Sequence, residues 1–227
     1  MEKNQYKLCL EVLRRFNKAG ILDGMILIGS WLLYFYKDYF KKTPYIDIAT
    51  LRTRDIDFLV PLSIKIKKTI DVPELLKDLG FVTDFKGSKG YIKLDHPDLI
   101  LEFLVPEKGR GSDEPYKLPQ LGMNAVSLRF LSFLIDNVIR VKVEDFYINV
   151  PHPANFALHK LIIFQRRARE YKALKDKSTA IEILKALSNK GEGRIIKKTL
   201  DSISEKWRKK IIKGLEGEEE IKLLLDS

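Results

Sequence analysis

The chain has 227 residues, 45% of them hydrophobic, so it can bury the core of one large domain or two small ones. Charges interrupt its apolar runs before the roughly 18 to 20 residues that a membrane span needs, and no apolar leader follows Met1, so we expect a cytoplasmic protein. The formal charge of +10 favours polyanionic partners, although a lysine-rich surface of the thermophile type would also give a positive net charge without such a partner. The single cysteine, Cys9, excludes an internal disulfide and a multi-cysteine zinc site.

The first third of the chain predicts a helix, a short strand and a second helix. Apolar residues at helical spacing mark a helix over 6–18. The apolar run over 24–29 stops at Gly29 and passes into an apolar and aromatic segment over 31–40, which is typical of a strand, a tight turn and a buried helix. The first N–H groups of such a helix attract anions, and Gly29 has no side chain to keep a phosphate away. Ser30 can bind that phosphate, cap the helix, or do both.

A strand with two carboxylates follows a polar connection over 41–53. Period-2 alternation places Asp55 and Asp57 on one face of this strand and apolar residues on the other. Two carboxylates this close repel each other unless a cation lies between them or one is protonated. The pattern therefore predicts a metal site, with Mg²⁺ or Mn²⁺ as the ion that suits hard oxygen ligands beside phosphate. Arg54 lies next to this acidic strand.

The middle of the chain predicts a short helix over 72–80, a hairpin over 81–94 and a strand over 98–105. Glu102 is the only charged residue inside the last of these apolar runs, and burying it without a partner would cost several kcal/mol. The metal site at the two aspartates is one candidate partner. The alternative is a lysine or arginine at a sheet edge.

The remainder predicts a long surface loop over 107–121, two strands over 137–143 and 146–150, and then helices only. The sequence Pro151-His152-Pro153 breaks the chain, so we place a domain boundary there, with domains over 1–150 and 151–227. The first helices of the second domain are predicted over 154–169 and 178–187. Antiparallel helices with short loops make a small bundle.

The residues around both motifs resemble those of a known superfamily. Gly-Ser opening a helix, followed by Asp-x-Asp in an apolar strand, is similar to the signature of the DNA polymerase β-like nucleotidyltransferases. Bacterial and archaeal nucleotidyltransferase-like families, in which Gly-Ser-Trp precedes an Arg-Thr-x-Asp-Ile-Asp-Phe-Leu run, resemble the chain more closely. Here these are residues 29–31 and 52–59. The helical part resembles the same families over about residues 151–190, with a Lys-Leu helix, an Arg and a Lys-Asp pair.

The resemblance implies a role for each candidate residue. Asp55, Asp57 and Glu102 would be the catalytic, metal-binding carboxylates, with Glu102 as the third ligand on a neighbouring strand. The nucleotide would contact four further residues, namely Gly29, Ser30, Arg54 and Lys160. Alternatively, Lys160 is an ordinary surface lysine. Asp176 is interpreted as the partner of Lys175 in an ion pair at a helix start. His152 and His159 have no spaced partner and are interpreted as structural.

The fold implied is α/β (α+β), with a mixed, mostly antiparallel sheet flanked by helices and a C-terminal helical bundle that forms the other wall of a cleft. The function implied is Mg²⁺- or Mn²⁺-dependent transfer of a nucleoside monophosphate from a nucleoside triphosphate to an acceptor hydroxyl on RNA such as tRNA, a protein or a small molecule. Two further hypotheses stay open. One is the toxin of a toxin–antitoxin pair, with an antitoxin partner; the other is an inactive nucleotide- or RNA-binding regulatory module.

Overall fold

The structure is a computed structural model that describes residues 3–41, 43, 53–63, 66–107, 109 and 114–226. The strands are β1 (Ile26–Ile28), β2 (Asp55–Leu59), β3 (Val82–Lys86), β4 (Tyr91–Asp95), β5 (Ile100–Pro106), β6 (Tyr116–Leu118), β7 (Met123–Leu128), β8 (Val138–Val143) and β9 (Phe146–Pro151). The α-helices are α1 (Lys3–Ala19), α2 (Leu32–Phe35), α3 (Val72–Leu76), α4 (Ser132–Ile135), α5 (Pro153–Ile163), α6 (Glu170–Asn189), α7 (Gly193–Asp201), α8 (Glu205–Gly214) and α9 (Glu219–Asp226). In the described part of the chain, no helix has the length and apolarity to cross a membrane.

Seven strands of the described residues form one mixed sheet. Its central order is β1-β2-β5-β4-β3, and β7 pairs with both β5 and β6. The β2–β5 and β5–β7 pairs are parallel, and the other pairs of this sheet are antiparallel. The strands β8 and β9 form a separate antiparallel ribbon. The predicted mixed, mostly antiparallel sheet with flanking helices is therefore confirmed.

The two faces of this sheet differ in chemistry. On one face, Phe16 of α1 packs against Phe58 and Phe103, with ring centroids 5.2 and 6.4 Å apart, and all three side chains are buried. On the other face, Leu59 and Leu104 pack against the buried Leu131 and Leu134 around α4. This second cluster covers the carboxyl ends of β2 and β5. On that face the charged residues come before the leucines, with Asp55 and Asp57 before Leu59 in β2 and Glu102 before Leu104 in β5.

The chain divides into two compact units. The sheet unit contains Met1–Phe35 and Ile48–Pro151, and the helical unit contains Tyr36–Asp47 and His152–Ser227. Within the helical unit, Tyr36 packs edge-on against Phe156 with ring centroids 5.9 Å apart. The segment that follows α2 is thus part of the helical core, although its sequence precedes the acidic strand. The prediction that residues 1–150 are the catalytic domain and residues 151–227 a helical domain stays a prediction.

Several elements of the described residues differ from the sequence-based prediction. The helix predicted over 31–40 is only one turn, α2, followed by turns up to residue 41. Residues 116–121 of the predicted loop form β6 and a 3₁₀ turn, and β6 pairs with β7, which was not predicted. Residues 108 and 110–113 of that loop, and 42 and 44–52 of the polar connection, lie outside the described residues.

The helix α6 begins at Glu170, eight residues before the predicted start of that helix. Its first turns are largely exposed, with Leu174 62% accessible, so they lack the apolar stripe that identifies a helix in sequence.

Candidate active site

The Gly-Ser turn links β1 to α2. Gly29 has φ +80°, in the left-handed region, and a Cβ atom at this position would lie 2.5 Å from Oδ2 of Asp57. A residue other than glycine would meet both backbone strain and the carboxylate. The amides of Leu32 and Leu33 bond back to the carbonyl oxygens of Gly29 and Ser30 at 3.3 and 3.2 Å, which closes a single turn. A helix this short has a small dipole, so phosphate binding there would depend on the turn backbone and the Ser30 hydroxyl.

Strand pairing brings the three predicted carboxylates to one face of the sheet. Asp57 is paired with Ile28 in β1 on one side and with Glu102 in β5 on the other. Adjacent strands lie about 4.8 Å apart, so the Asp57 and Glu102 side chains leave neighbouring positions in the same direction. Asp55 is two residues before Asp57 and shares its face. We call these three residues the carboxylate row.

The carboxylate row lies beyond the apolar cluster that α4 covers. Asp55 is exposed, whereas Asp57 and Glu102 are partly buried. Because Leu59 and Leu104 on the same face are buried, the polar part of the face begins where the α4 cluster ends. Water and small polar ligands can therefore reach the row from its Asp55 end.

The donor set of the row suits a hard cation, because it consists of carboxylate oxygens. Gly29 also leaves room beside Asp57 that a Cβ atom would fill. In the described ranges, no group of three or more His, Cys, Asp or Glu side chains is arranged to hold a metal ion. The residue types and the space at Gly29 thus fit a divalent ion, and the three-ligand arrangement stays a prediction.

Arg54 lies immediately before β2 and contacts the β4 side of the sheet. Its Nη2 donates to Oδ1 of Asp95 at 3.2 Å and to the carbonyl oxygen of His96 at 2.7 Å. The side chain is 48% exposed. On the β1 side of the row lies the Gly29 turn, so Arg54 and that turn lie on different sides of β2. The predicted nucleotide contact of Arg54 is untested.

Lys160 is in a buried ionic network of the helical unit. It is 6% exposed, and its ammonium group forms an ion pair with Asp176. The other oxygen of Asp176 accepts from Nε of Arg167 at 2.8 Å. Asp176 lies six residues inside α6, so it is not at a helix start as the sequence suggested. Lys160 would have to leave this ion pair to contact a triphosphate, and its nucleotide role also stays a prediction.

The charges around Asp176 set its ionisation. Burial raises the pKa of Asp176, but the nearby cations Lys160 and Arg167 outweigh burial, so the pKa lies below its usual range. Sequence reasoning missed this arrangement, since residues 160 and 176 lie on different helices. The only signal was a lysine on the apolar helix α5, in which ten residues are buried.

The two histidines of the helical unit are structural in these surroundings. Nδ1 of His152 accepts from the amide of Ala154 at 3.1 Å and so caps α5, while its Nε2 lies 2.9 Å from the Tyr39 hydroxyl. That hydroxyl donates to Glu192 at 2.5 Å. His159 is buried, and burial lowers its pKa to about 3, so it is neutral at ordinary pH.

Comparisons with known proteins show the family of the chain and its fold. The model of a family described as nucleotidyltransferase matches residues 7–203. The chain is also similar in structure to an antigenic nucleotidyltransferase-like protein from Paracoccidioides brasiliensis, with a TM-score of 0.54 and 12% identity over 96% of this chain and 92% of that one. At this identity the likeness shows the fold alone, and it confirms the predicted one. No curated protein matches the chain in sequence.

Proposed function

Because the chain belongs to the nucleotidyltransferase family, we propose that it transfers a nucleoside monophosphate from a nucleoside triphosphate to an acceptor hydroxyl, with a divalent metal ion. The observation that carries this proposal is the pairing of Asp57 with both Ile28 and Glu102. This pairing puts the Gly29-Ser30 turn and the carboxylate row side by side on one sheet.

The turn provides the phosphate contacts in this proposal. The absence of a side chain at Gly29 lets a phosphate approach the backbone beside Asp57. The hydroxyl of Ser30 would donate to a phosphate oxygen. Arg54 and Lys160 would contribute positive charge to the nucleotide, each after giving up its present carboxylate partner.

The carboxylate row provides the metal ligands. Asp55, Asp57 and Glu102 would hold Mg²⁺ or Mn²⁺, which when bound supplies charge stabilisation at the phosphates and lowers the pKa of the acceptor hydroxyl. Glu102 lies on the side of Asp57 away from the Gly29 turn. An acceptor approaching from that side would meet Glu102 first, and Glu102 would accept the proton of the attacking hydroxyl.

The direct test is labelling. The protein is incubated with each α-labelled nucleoside triphosphate, Mg²⁺ and either total RNA, including tRNA, or a protein extract. We expect one fraction to become labelled by the wild type and not by Asp57→Asn. If no RNA, protein or small-molecule fraction becomes labelled at triphosphate concentrations that saturate the protein, the transfer reaction is contradicted.

A second candidate is a nucleotide- or RNA-binding regulatory module without turnover. The observation in its favour is that no three acidic side chains of the described residues are already arranged around a metal position. Calorimetric titration with triphosphate separates the two candidates. Metal-dependent binding with labelling supports the enzyme, whereas equal binding with and without a chelator, and no labelling, supports the module.

The same transfer reaction would also serve the toxin of a toxin–antitoxin pair. Expression of the wild type would then arrest growth, Asp57→Asn would relieve the arrest, and the product of a neighbouring small reading frame would suppress it. Normal growth at equal expression would assign the enzyme to another role.

A further inference from the structure

Lys93 is a cation on the face of the carboxylate row, and no sequence motif includes it. It lies in β4, which pairs with β5 on the side away from β2. The antiparallel register pairs Leu94 with Leu101, which places Lys93 beside Glu102 and on the same face. Along one line across the sheet, the residues on this face are Ile28, Asp57, Glu102, Lys93 and Asp84, in that order.

The ammonium group of Lys93 is fixed by carboxylates. Its Nζ donates to Oδ2 of Asp84 at 3.0 Å, and Oδ2 of Asp95 lies 3.9 Å away. The side chain is only 19% exposed. Arg54 binds the other oxygen of Asp95 at 3.2 Å, so the position of that carboxylate is also fixed. Lys93 therefore differs from a solvated surface lysine, whose ammonium group moves freely.

Glu102 acts on Lys93 through space. The hydrogen bond to Asp84 raises the pKa of Lys93, the little burial of the group opposes this rise, and the charges of Asp95 and Glu102 add to it. Lys93 is positively charged at neutral pH. A positive charge beside Glu102 stabilises this carboxylate and repels another cation that approaches it.

We propose that Lys93 is a positioning residue, a resident cation of the carboxylate row that balances the charge of Glu102 and competes with a divalent ion for it. The proposal rests on the proposed function, since it takes Glu102 as a metal ligand. Lys93 would lower the affinity of the row for metal. It would also hold the Glu102 side chain on the β4 side of the row until an ion displaces it.

The experiment measures Mn²⁺ affinity of the full chain, by calorimetry or by the electron paramagnetic resonance signal of free Mn²⁺. We expect Lys93→Met to bind Mn²⁺ on the order of tenfold more tightly than the wild type, because the ion then no longer competes with the ammonium group for Glu102. Lys93→Arg keeps the charge and should restore the affinity of the wild type. Lys93→Gln keeps a donor for Asp84 and gives the same test if Lys93→Met fails to fold.

The matched control is Lys142→Met. Lys142 is an exposed lysine of β8, in the separate ribbon, so this change alters net charge equally without touching the row. Its Mn²⁺ affinity should equal that of the wild type. If Lys142→Met tightens binding as much as Lys93→Met, net charge explains the effect and the proposal is wrong.

The route through Glu102 is tested in a second background. When Glu102 is replaced by Gln, the additional Lys93→Met change should no longer alter Mn²⁺ affinity. If Lys93→Met binds Mn²⁺ no more tightly than the wild type, the role proposed for Lys93 is wrong, while the proposed metal site is unaffected. If the wild type shows no Mn²⁺ binding that Asp57→Asn removes, the proposed metal site itself is wrong, and this inference with it.

Discussion

At the scale of single residues, the contact between Gly29 and Asp57 restricts both positions, because only glycine fits beside this carboxylate. The strand β2 places the Asp57 carboxylate directly against the Cα of Gly29, where the backbone has a positive φ. Two motifs that are separated by more than twenty residues of sequence are therefore in contact in the structure. Their roles can be separated by changing each residue alone.

We predict that Asp57→Asn abolishes nucleotidyl transfer and leaves the fold intact. The amide removes a metal ligand and relieves repulsion within the carboxylate row, so the melting temperature in chelator should equal or exceed that of the wild type. Thermal unfolding followed by circular dichroism measures this. Asp145→Asn, in the exposed turn between β8 and β9, is the control and should keep full activity. A large loss of stability without metal would assign Asp57 a structural role instead.

We predict that Gly29→Ala weakens Mn²⁺ binding and lowers the free energy of unfolding more than Gly87→Ala does. Gly87 has φ +67° and no atom within 4 Å of a built Cβ, so its substitution reports backbone strain alone. The excess for Gly29→Ala should be about 1–3 kcal/mol, from the overlap with Asp57. Urea denaturation measures both variants.

The excess should vanish when Asp57 is replaced by Ala, because the added methyl group then has no carboxylate to meet. An excess that persists in this background would mean that another neighbour causes it.

At the scale of elements, the helices α5 and α6 are joined by the network of Lys160, Asp176 and Arg167. Lys160 and Asp176 are nearly inaccessible, whereas Arg167 is 43% exposed. Removing one member of a buried pair leaves the other charge without compensation, which costs more than the pair itself contributes. Substitutions in this network therefore test how much it contributes to holding α5 and α6 together.

We predict that Asp176→Asn lowers the free energy of unfolding by about 3 kcal/mol at pH 7. The pKa of Asp176 is lower in the folded state than its unfolded value of about 3.9, so its contribution is fully present above that value. The contribution is lost as the pH falls through the lower, folded pKa. The difference between wild type and variant should thus shrink below about pH 4.

Urea denaturation at a series of pH values measures this difference. Asp201→Asn is the control, because the Asp201–Arg208 pair is exposed, with side chains 54% and 42% accessible. Its effect should stay within about 1 kcal/mol. An Asp176→Asn effect no larger than the control would show that the buried network adds no stability.

At the scale of the whole molecule, the net charge of +10 is the property that concerns the acceptor. Part of the positive charge in the helical unit is already paired with carboxylates. Lys209 lies 2.7 Å from Glu205, and Arg208 lies 3.4 Å from Asp201. A nucleic acid would have to compete with these pairs, although they are exposed and therefore weak.

We predict that tRNA binding weakens steeply with salt, with a log-log slope near 0.7 to 0.9 for each phosphate contacted. Filter binding between about 50 and 300 mM salt measures the slope for the wild type and for a variant with Arg208, Lys209 and Lys210 changed to Ala. The variant should have a smaller slope. A flat dependence, or equal slopes, would make a small molecule or a protein side chain the acceptor to test next.

The sequence by itself determined the elements that hold the candidate site. The Gly29-Ser30 turn, the strand of Asp55 and Asp57, and the strand of Glu102 were all predicted, because period-2 alternation and a glycine stop are local signals. Membership of a nucleotidyltransferase family is confirmed, whereas the narrower family and the individual roles of these residues stay predictions. The sequence also placed a domain boundary at Pro151-His152-Pro153, which stays a prediction; Pro151–His152 is one of the positions in the chain where one compact unit passes into the other.

Only the tertiary structure decided which side chains are neighbours. The parallel pairing of β2 with β5 puts Glu102 beside Asp57, and the next strand adds Lys93, since register depends on contacts across the sheet and not on local pattern. The burial of Lys160 against Asp176 and the packing of Tyr36 against Phe156 in the helical unit have the same cause. In each case the partner lies far away in sequence, and packing of the core brings the two together.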